Sequence, residues 1–174
     1  MKYLPLTIIL FTFFACKPEA QPAEEEPAKE FLRHVGDIPY DAAQDTLGFE
    51  PCHEDAAFIY YNFGKGITYK GEKAAILRKF DEAFRPGQQK ESGYITIRFM
   101  INCKGEPGRF RLYQMDENYV AKDFSPELVN QLFTTTRSLN EWEVPADKYG
   151  KDVYDYYQYL TFKINNGQIE RILP

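Results

Sequence analysis

The chain has 174 residues, a formal net charge of −5 at pH 7, three cysteines and 16% aromatic residues. That length suits one domain of ordinary size with extra segments, and the mildly acidic balance lacks the basic footprint of a nucleic-acid binder. Tyr and Phe far outnumber the single Trp, which favours a β-rich core, because aromatic side chains fit pleated surfaces.

Residues 1–15 read as a targeting segment outside the fold. Lys2 is a short positive start, and the apolar stretch Leu4 to Phe14 is shorter than the roughly 20 residues a membrane-spanning helix needs. Phe13-Phe14-Ala15-Cys16 resembles a bacterial lipobox, with Phe13 where Leu is usual. The resemblance implies cleavage before Cys16 and lipidation of that residue. A single acyl chain holds only marginally, at about 0.8 kcal/mol per buried CH₂, and several chains hold for good. The expected location is the cell envelope, at the periplasmic face of the outer membrane, with the inner membrane and the cell surface as other placements. The competing reading is an ordinary secretory signal with an incidental Cys.

Residues 16–47 read as a linker. Pro18, Pro22, Pro27 and the run Glu24-Glu25-Glu26 sit among small residues, and such a stretch buries too little surface to offset its ordering entropy. About 30 residues reach roughly 100 Å when extended and about 30 Å as a coil. With Cys16 assigned to lipid, Cys52 and Cys103 remain. In an oxidising compartment such a pair bridges, closing a loop of about 50 residues for roughly 3–4 kcal/mol. The alternative is a metal site from Cys52, His53, Glu54 and Asp55. Adjacent residues rarely converge on one ion, and no second Cys/His pair has ligand spacing, so no metal and no cofactor is expected.

The domain expected at residues 48–174 begins with the aromatic run Phe58 to Phe63, a short strand, and the turn Gly64-Lys65-Gly66, which lacks the full phosphate-loop pattern. Gly71 to Phe84 reads as a helix, with Ile76, Leu77, Phe80, Ala83 and Phe84 on one face. Pro86 and Gly87 stop it. Gly93 to Tyr113 is the clearest hairpin. Ile95, Ile97, Phe99, Ile101 and Cys103 alternate with Tyr94, Thr96, Arg98, Met100 and Asn102. After the turn at Lys104 to Gly108, Phe110 and Leu112 point inward while Arg109, Arg111 and Tyr113 point outward.

Ser125 is the expected N-cap and Pro126 the first residue of a second helix, whose stripe is Leu128, Val129, Leu132, Phe133, Thr136 and Leu139. Glu141 to Pro145 is a short extended piece whose Trp142 should be buried. Tyr154 to Ile164 is the third main strand, and Asn166-Gly167 folds Gln168 to Leu173 back on it. The fold class is therefore α+β, a small antiparallel sheet of three to four strands backed by two helices.

From Tyr69 onward the chain resembles the C-terminal domain of TonB, in the form found in Bacteroidetes-type energy transducers. The resemblance rests on several pieces in order. They are Tyr69-Lys70-Gly71-Glu72-Lys73-Ala74-Ala75, Gly93-Tyr94-Ile95-Thr96-Ile97-Arg98-Phe99, Ser125-Pro126-Glu127-Leu128, Trp142-Glu143-Val144-Pro145-Ala146, Tyr149-Gly150-Lys151-Asp152-Val153 and Tyr159-Leu160-Thr161-Phe162-Lys163-Ile164. It implies contact with another envelope protein, a TonB-dependent outer-membrane receptor in transmembrane transport being the family's example. The mode it implies is addition of a receptor peptide as an extra strand. The edge for that strand would be Tyr157 to Lys163, and the binding residues Tyr154, Tyr156, Tyr157, Tyr159, Thr161 and Lys163. A lipid anchor in place of a transmembrane helix argues against energy transduction, and the last strand could occupy that edge. The other reading is a structural lipoprotein of an envelope complex. Enzyme chemistry is not expected: His34 and His53 are the only histidines, and neither has a motif partner. Asp116, Glu117 and Asp123 share one loop, where solvation is the ordinary explanation.

Overall fold

Ile95, Ile97, Phe99 and Ile101 are all fully buried, and their strand is the spine of the molecule. The computed structural model describes residues 37–45, 48–53, 57–59, 66–146 and 154–173, all within the unit Leu32–Pro174. In chain order the elements are β1 (Phe58–Ile59), β2 (Thr68–Tyr69), α1 (Glu72–Ala83), β3 (Gly93–Ile101), β4 (Pro107–Met115), α2 (Pro126–Arg137), β5 (Trp142–Glu143), β6 (Tyr156–Asn165) and β7 (Gln168–Leu173). The fold is α+β, a sheet backed by two helices.

The main sheet has five strands. β4, β3 and β6 lie side by side, and β1 and β7 both pair with β6. The pairings are antiparallel except that of β1, which runs parallel to the start of β6 with Phe58 opposite Tyr156 and Ile59 opposite Tyr157. The aromatic run from Phe58 marks β1 as a short strand in the sequence, but a two-residue parallel strand carries no periodicity that names its partner, so the expected sheet has three to four strands. β2 and β5 form a separate ribbon, with Tyr69 opposite Trp142 and their rings edge to face at 5.0 Å.

The helices cover the inner face. α1 buries Ala75, Ile76 and Phe80, and α2 buries Leu128, Leu132, Thr135 and Thr136. Phe80 meets Phe162 of β6 edge to face at 4.9 Å, each ring contributing about 1.5–3 kcal/mol by leaving water. A reciprocal pair joins the helices. The Arg85 backbone N–H donates to Gln131 Oε1 at 2.7 Å, and Gln131 Nε2 donates to the Arg85 carbonyl at 3.0 Å. Ser125 is the N-cap of α2 by position, but its side chain makes no cap bond. Its hydroxyl instead donates to Glu91 Oε2 at 2.6 Å, tying the helix to the residues before β3.

The outer face departs from the sequence reading. Met100 and Arg109 point to that side, yet they are 0% and 7% exposed. Residues 37–45, assigned to the linker, and Phe49 supply the cover. Ile38 packs with Met100 and Tyr157, with Phe49 and Ala57 around them. Arg109 Nη1 donates to the Ile38 carbonyl at 3.3 Å, and the Arg109 guanidinium lies 5.9 Å from the Tyr40 ring centroid. Three apolar or aromatic residues spaced irregularly carry no helix or strand period, so the sequence does not show that this segment packs.

Candidate interaction surface

β6 carries the residues singled out for recognition, and the fold separates them. Tyr154, just before β6, and Tyr156 gather around Phe58, with ring centroids 4.7 and 6.0 Å away. His53 sits 5.7 Å from Tyr154. Tyr157 lies on the opposite side, under Ile38, and burial pushes its phenol above its ordinary value. Tyr159, Thr161 and Lys163 are half-buried on the outer face. Thr161 Oγ1 shares a hydrogen bond with Thr96 Oγ1 at 2.9 Å, and Lys163 donates to Glu170 at 2.7 Å.

The backbone of β6 is not the open edge that the sequence suggests. β3 runs along one side of it. On the other side β1 pairs with Tyr156 and Tyr157, and β7 pairs from Thr161 to Asn165. The cause of the second covering is the turn Asn166-Gly167, whose φ values of 50° and 73° match the tight hairpin turn of that dipeptide. The side-chain set therefore does not form one recognition strip.

The cysteines assemble with a residue that sequence reasoning passed over. Cys52 and Cys103 form a disulfide with Cα atoms 5.8 Å apart. Asp155, fully buried, accepts from the His53 backbone N–H through Oδ2 and from the Cys103 backbone N–H through Oδ1, both at 2.8 Å. Its own carbonyl accepts from Phe58 at 2.8 Å. The sulfurs and an Asp155 oxygen lie within 4.8 Å of one another. The sulfurs are bonded to each other and both carboxylate oxygens hold amides, so the group acts as a staple. Glu54 and Asp55 of the alternative metal set, and Cys16, lie outside the described residues. Asp116 is likewise engaged by backbone. The N–H groups of Val120 and Asn118 donate to it at 2.9 and 2.8 Å and hold its carboxyl below the usual value.

What the fold leaves open is the other end of the outer face. Tyr113, Tyr119 and Val120 are 46%, 72% and 60% exposed. Tyr94 stacks on Tyr119 with centroids 5.4 Å apart and planes 10° off parallel. The neighbouring Tyr119 phenol pushes the Tyr94 phenol upward. Cross-strand pairing sets Tyr113 beside Thr96 and Thr96 beside Thr161, with Tyr94 beside Lys163. The exposed tyrosines match the aromatic enrichment of protein interfaces, where rigid rings give area at low entropy cost. The alternation of Tyr94 and Tyr113 is visible in the sequence. Tyr119 belongs to a loop, and only the structure brings it to them.

Comparison with models of known protein families, with curated proteins and with solved structures finds no match to this chain. The structure by itself defines an α+β domain whose sheet is covered on one face by two helices and left partly open on the other. No helix among the described residues is long and apolar enough to cross a membrane.

Proposed function

We propose that this chain is a lipid-anchored envelope protein whose TonB C-terminal-like domain docks on another envelope protein. The observation that supports this reading most directly is the aromatic group Tyr94, Tyr113 and Tyr119 at the open end of the outer face. Tyr159, Thr161 and Lys163 extend that group along β6. Strand addition of a receptor peptide over more than the short stretch Gln158 to Leu160, which alone lacks a partner on that side of β6 among the described residues, would use the outer edge of β7 or β4. A photo-crosslinking residue at Tyr119 in intact cells should capture a partner, and the same residue at exposed Asn130 of α2 should not. Equal capture at both positions, or capture at neither, counts against this surface.

A second reading is a structural component of an envelope complex without peptide recognition. The covering of both ends of β6 favours it, since natural sheets protect their edges in this way. The crosslinked product separates the two: an outer-membrane receptor supports the first reading, and only resident lipoproteins or scaffold proteins support the second.

A further inference from the structure

The turn Asn166-Gly167 sets a side-chain carboxamide beside the backbone nitrogen best able to attack it. Glycine has no side chain to block the approach, and an Asn side chain reaches the backbone just after it. The fold treats the two partners differently. Asn166 is exposed, while Gly167 is buried beneath the Gln89 carbonyl, where even a Cβ would not fit. The peptide planes on both sides of the Asn166 Cα are pinned. The Asn166 N–H donates to Ser92 Oγ at 3.1 Å, and the Gly167 N–H donates to the Glu91 carbonyl at 2.8 Å. The electrophile therefore stands in water, while the nucleophile is held with its proton engaged.

The pins are themselves fastened. At the start of α2 the Glu91 carboxylate accepts from the Ser125 backbone N–H at 3.0 and 3.1 Å and from the Ser125 hydroxyl at 2.6 Å. Lys122 Nζ donates to the Ser92 carbonyl at 3.0 Å. The reactivity of the turn between β6 and β7 is thereby tied to α2 and to the loop after β4. A local opening of residues 89–92 frees the Gly167 nitrogen without unfolding the sheet, and local openings cost less than global unfolding.

We propose that Asn166 is a site of spontaneous deamidation, shut by Glu91 and Ser92 and opened when their segment lifts. The Gly167 nitrogen gives up its proton and bonds to Asn166 Cγ, ammonia leaves, and a cyclic imide joins the two residues. Water then opens the ring at either carbonyl, to aspartate or to isoaspartate, so no oxidant and no cofactor enters. Either product adds a negative charge to the turn. Aspartate tolerates the left-handed backbone of Asn166 and keeps the hairpin. Isoaspartate routes the main chain through the side-chain carbon and lengthens it, and a tight turn so altered no longer holds the register of β7 on β6. The backbone of Thr161 to Asn165 then loses its partner strand. Nothing in this reaction depends on the tyrosine surface.

The full chain, incubated in mildly alkaline buffer made with heavy-oxygen water, takes up a labelled oxygen at each conversion, and peptide mapping assigns it to Asn166. The native chain should convert about tenfold more slowly than the chain in urea, or slower still, because only the opened fraction reacts. Glu91→Ala should speed the native reaction about threefold or more by lowering the cost of that opening. Ser92→Ala removes the acceptor of the Asn166 N–H and leaves Glu91 in place. It should act in the same direction, and it carries the test if Glu91→Ala unfolds. Arg111→Ala, which loosens the segment around Ile38 instead, should keep the wild-type rate. Equal rates in the native chain and in urea, no conversion in urea, a wild-type rate in the folded variants at Glu91 and Ser92, or an equal gain in Arg111→Ala would overturn the proposal. Isoaspartate-containing chains, separated by charge and mapped, should exchange the amides of β7 faster than Asn166→Asp does. Equal exchange would overturn the release of β7.

Discussion

Arg111 grips Asp45 across 66 residues of sequence, with Nη1 2.7 Å from Oδ1 and Nη2 2.9 Å from Oδ2. The two side chains are 12% and 3% exposed. Arg111 Nη2 also donates to the Pro39 carbonyl at 2.6 Å. One guanidinium on β4 thus clamps both ends of the segment that carries Ile38 onto the outer face. A fork of this kind is the geometry in which arginine binds a carboxylate best.

Arg111→Ala should release that segment. The loss of a charged hydrogen-bond pair that is largely out of water costs about 1.5–3 kcal/mol, and Asp45 would remain without its cation. Urea unfolding should show a lower midpoint of that size. Hydrogen exchange should rise at Asp41 to Asp45, whose turn amides bond to Asp41 and Asp45. A variant with wild-type exchange in that turn would show that the apolar seat of Ile38 holds the segment alone.

The same pair sets a pH dependence. The hydrogen bond from Arg111 holds the Asp45 carboxyl below its ordinary value of 3.8. A depressed folded value means that the unfolded chain takes up the proton first. The contribution of the pair is therefore fully present above about pH 4–5 and is lost as pH falls through the lowered folded value. The difference in stability between wild type and Asp45→Asn should stay constant from neutral pH to that point and narrow below it. A gap that widens on acidification would reverse the assignment.

Much of this fold is legible in the sequence, for reasons that particular residues make plain. The period of two in Ile95, Ile97, Phe99 and Ile101 marks β3, because one face of a strand meets the core. The period of 3.6 in Ile76, Phe80, Leu128 and Leu132 marks the helices. Asn166-Gly167 announces β7 by turn chemistry alone. The contacts of residues 37–45 and of Phe49, and the pairing partners of the two-residue strands β1, β2 and β5, are set by residues far away in sequence. Nothing local distinguishes Ile38 from any linker residue, or Asp45 from a solvated acid. The tyrosines of β6 carry a signal for aromatic area but none for which of the two faces is later covered.

Asp155 should matter more to stability than its single charge suggests. It holds the backbone N–H groups beside both cysteines, at His53 and Cys103. Asp155→Ala strands both amides in partly buried surroundings, at about 2–4 kcal/mol for two lost charge-assisted bonds. The disulfide itself, with a sequence separation of 51, contributes roughly 4 kcal/mol in the chain-entropy model. Reduction of wild type should lower the urea midpoint by about that amount. In Asp155→Ala the bridge should reduce faster at the same dithiothreitol concentration, because its flanking amides are no longer held. Unchanged reduction kinetics would show that the Asp155 carboxylate steadies the backbone without guarding the bridge.

Gly167 tests whether β7 is needed to protect β6. Its φ of 73° is in the left-handed region, and a Cβ there would run into the Gln89 carbonyl oxygen. Its N–H also donates to the Glu91 carbonyl at 2.8 Å, so the turn is fastened to the residues before β3. Gly167→Ala meets both the steric block and the backbone strain, and about 1–3 kcal/mol is expected. Asn166→Gly, by contrast, relaxes a residue at φ 50° and should change stability by less than about 1 kcal/mol. Where β7 is loosened, the backbone of Thr161 to Asn165 loses its partner strand and becomes a template for another chain. Light scattering during mild heating should therefore show Gly167→Ala associating well below its unfolding midpoint, with wild type and Asn166→Gly staying monodisperse to theirs. If Gly167→Ala unfolds early yet stays monodisperse, the outer side of β6 is not the edge that self-association uses, and β7 serves stability alone.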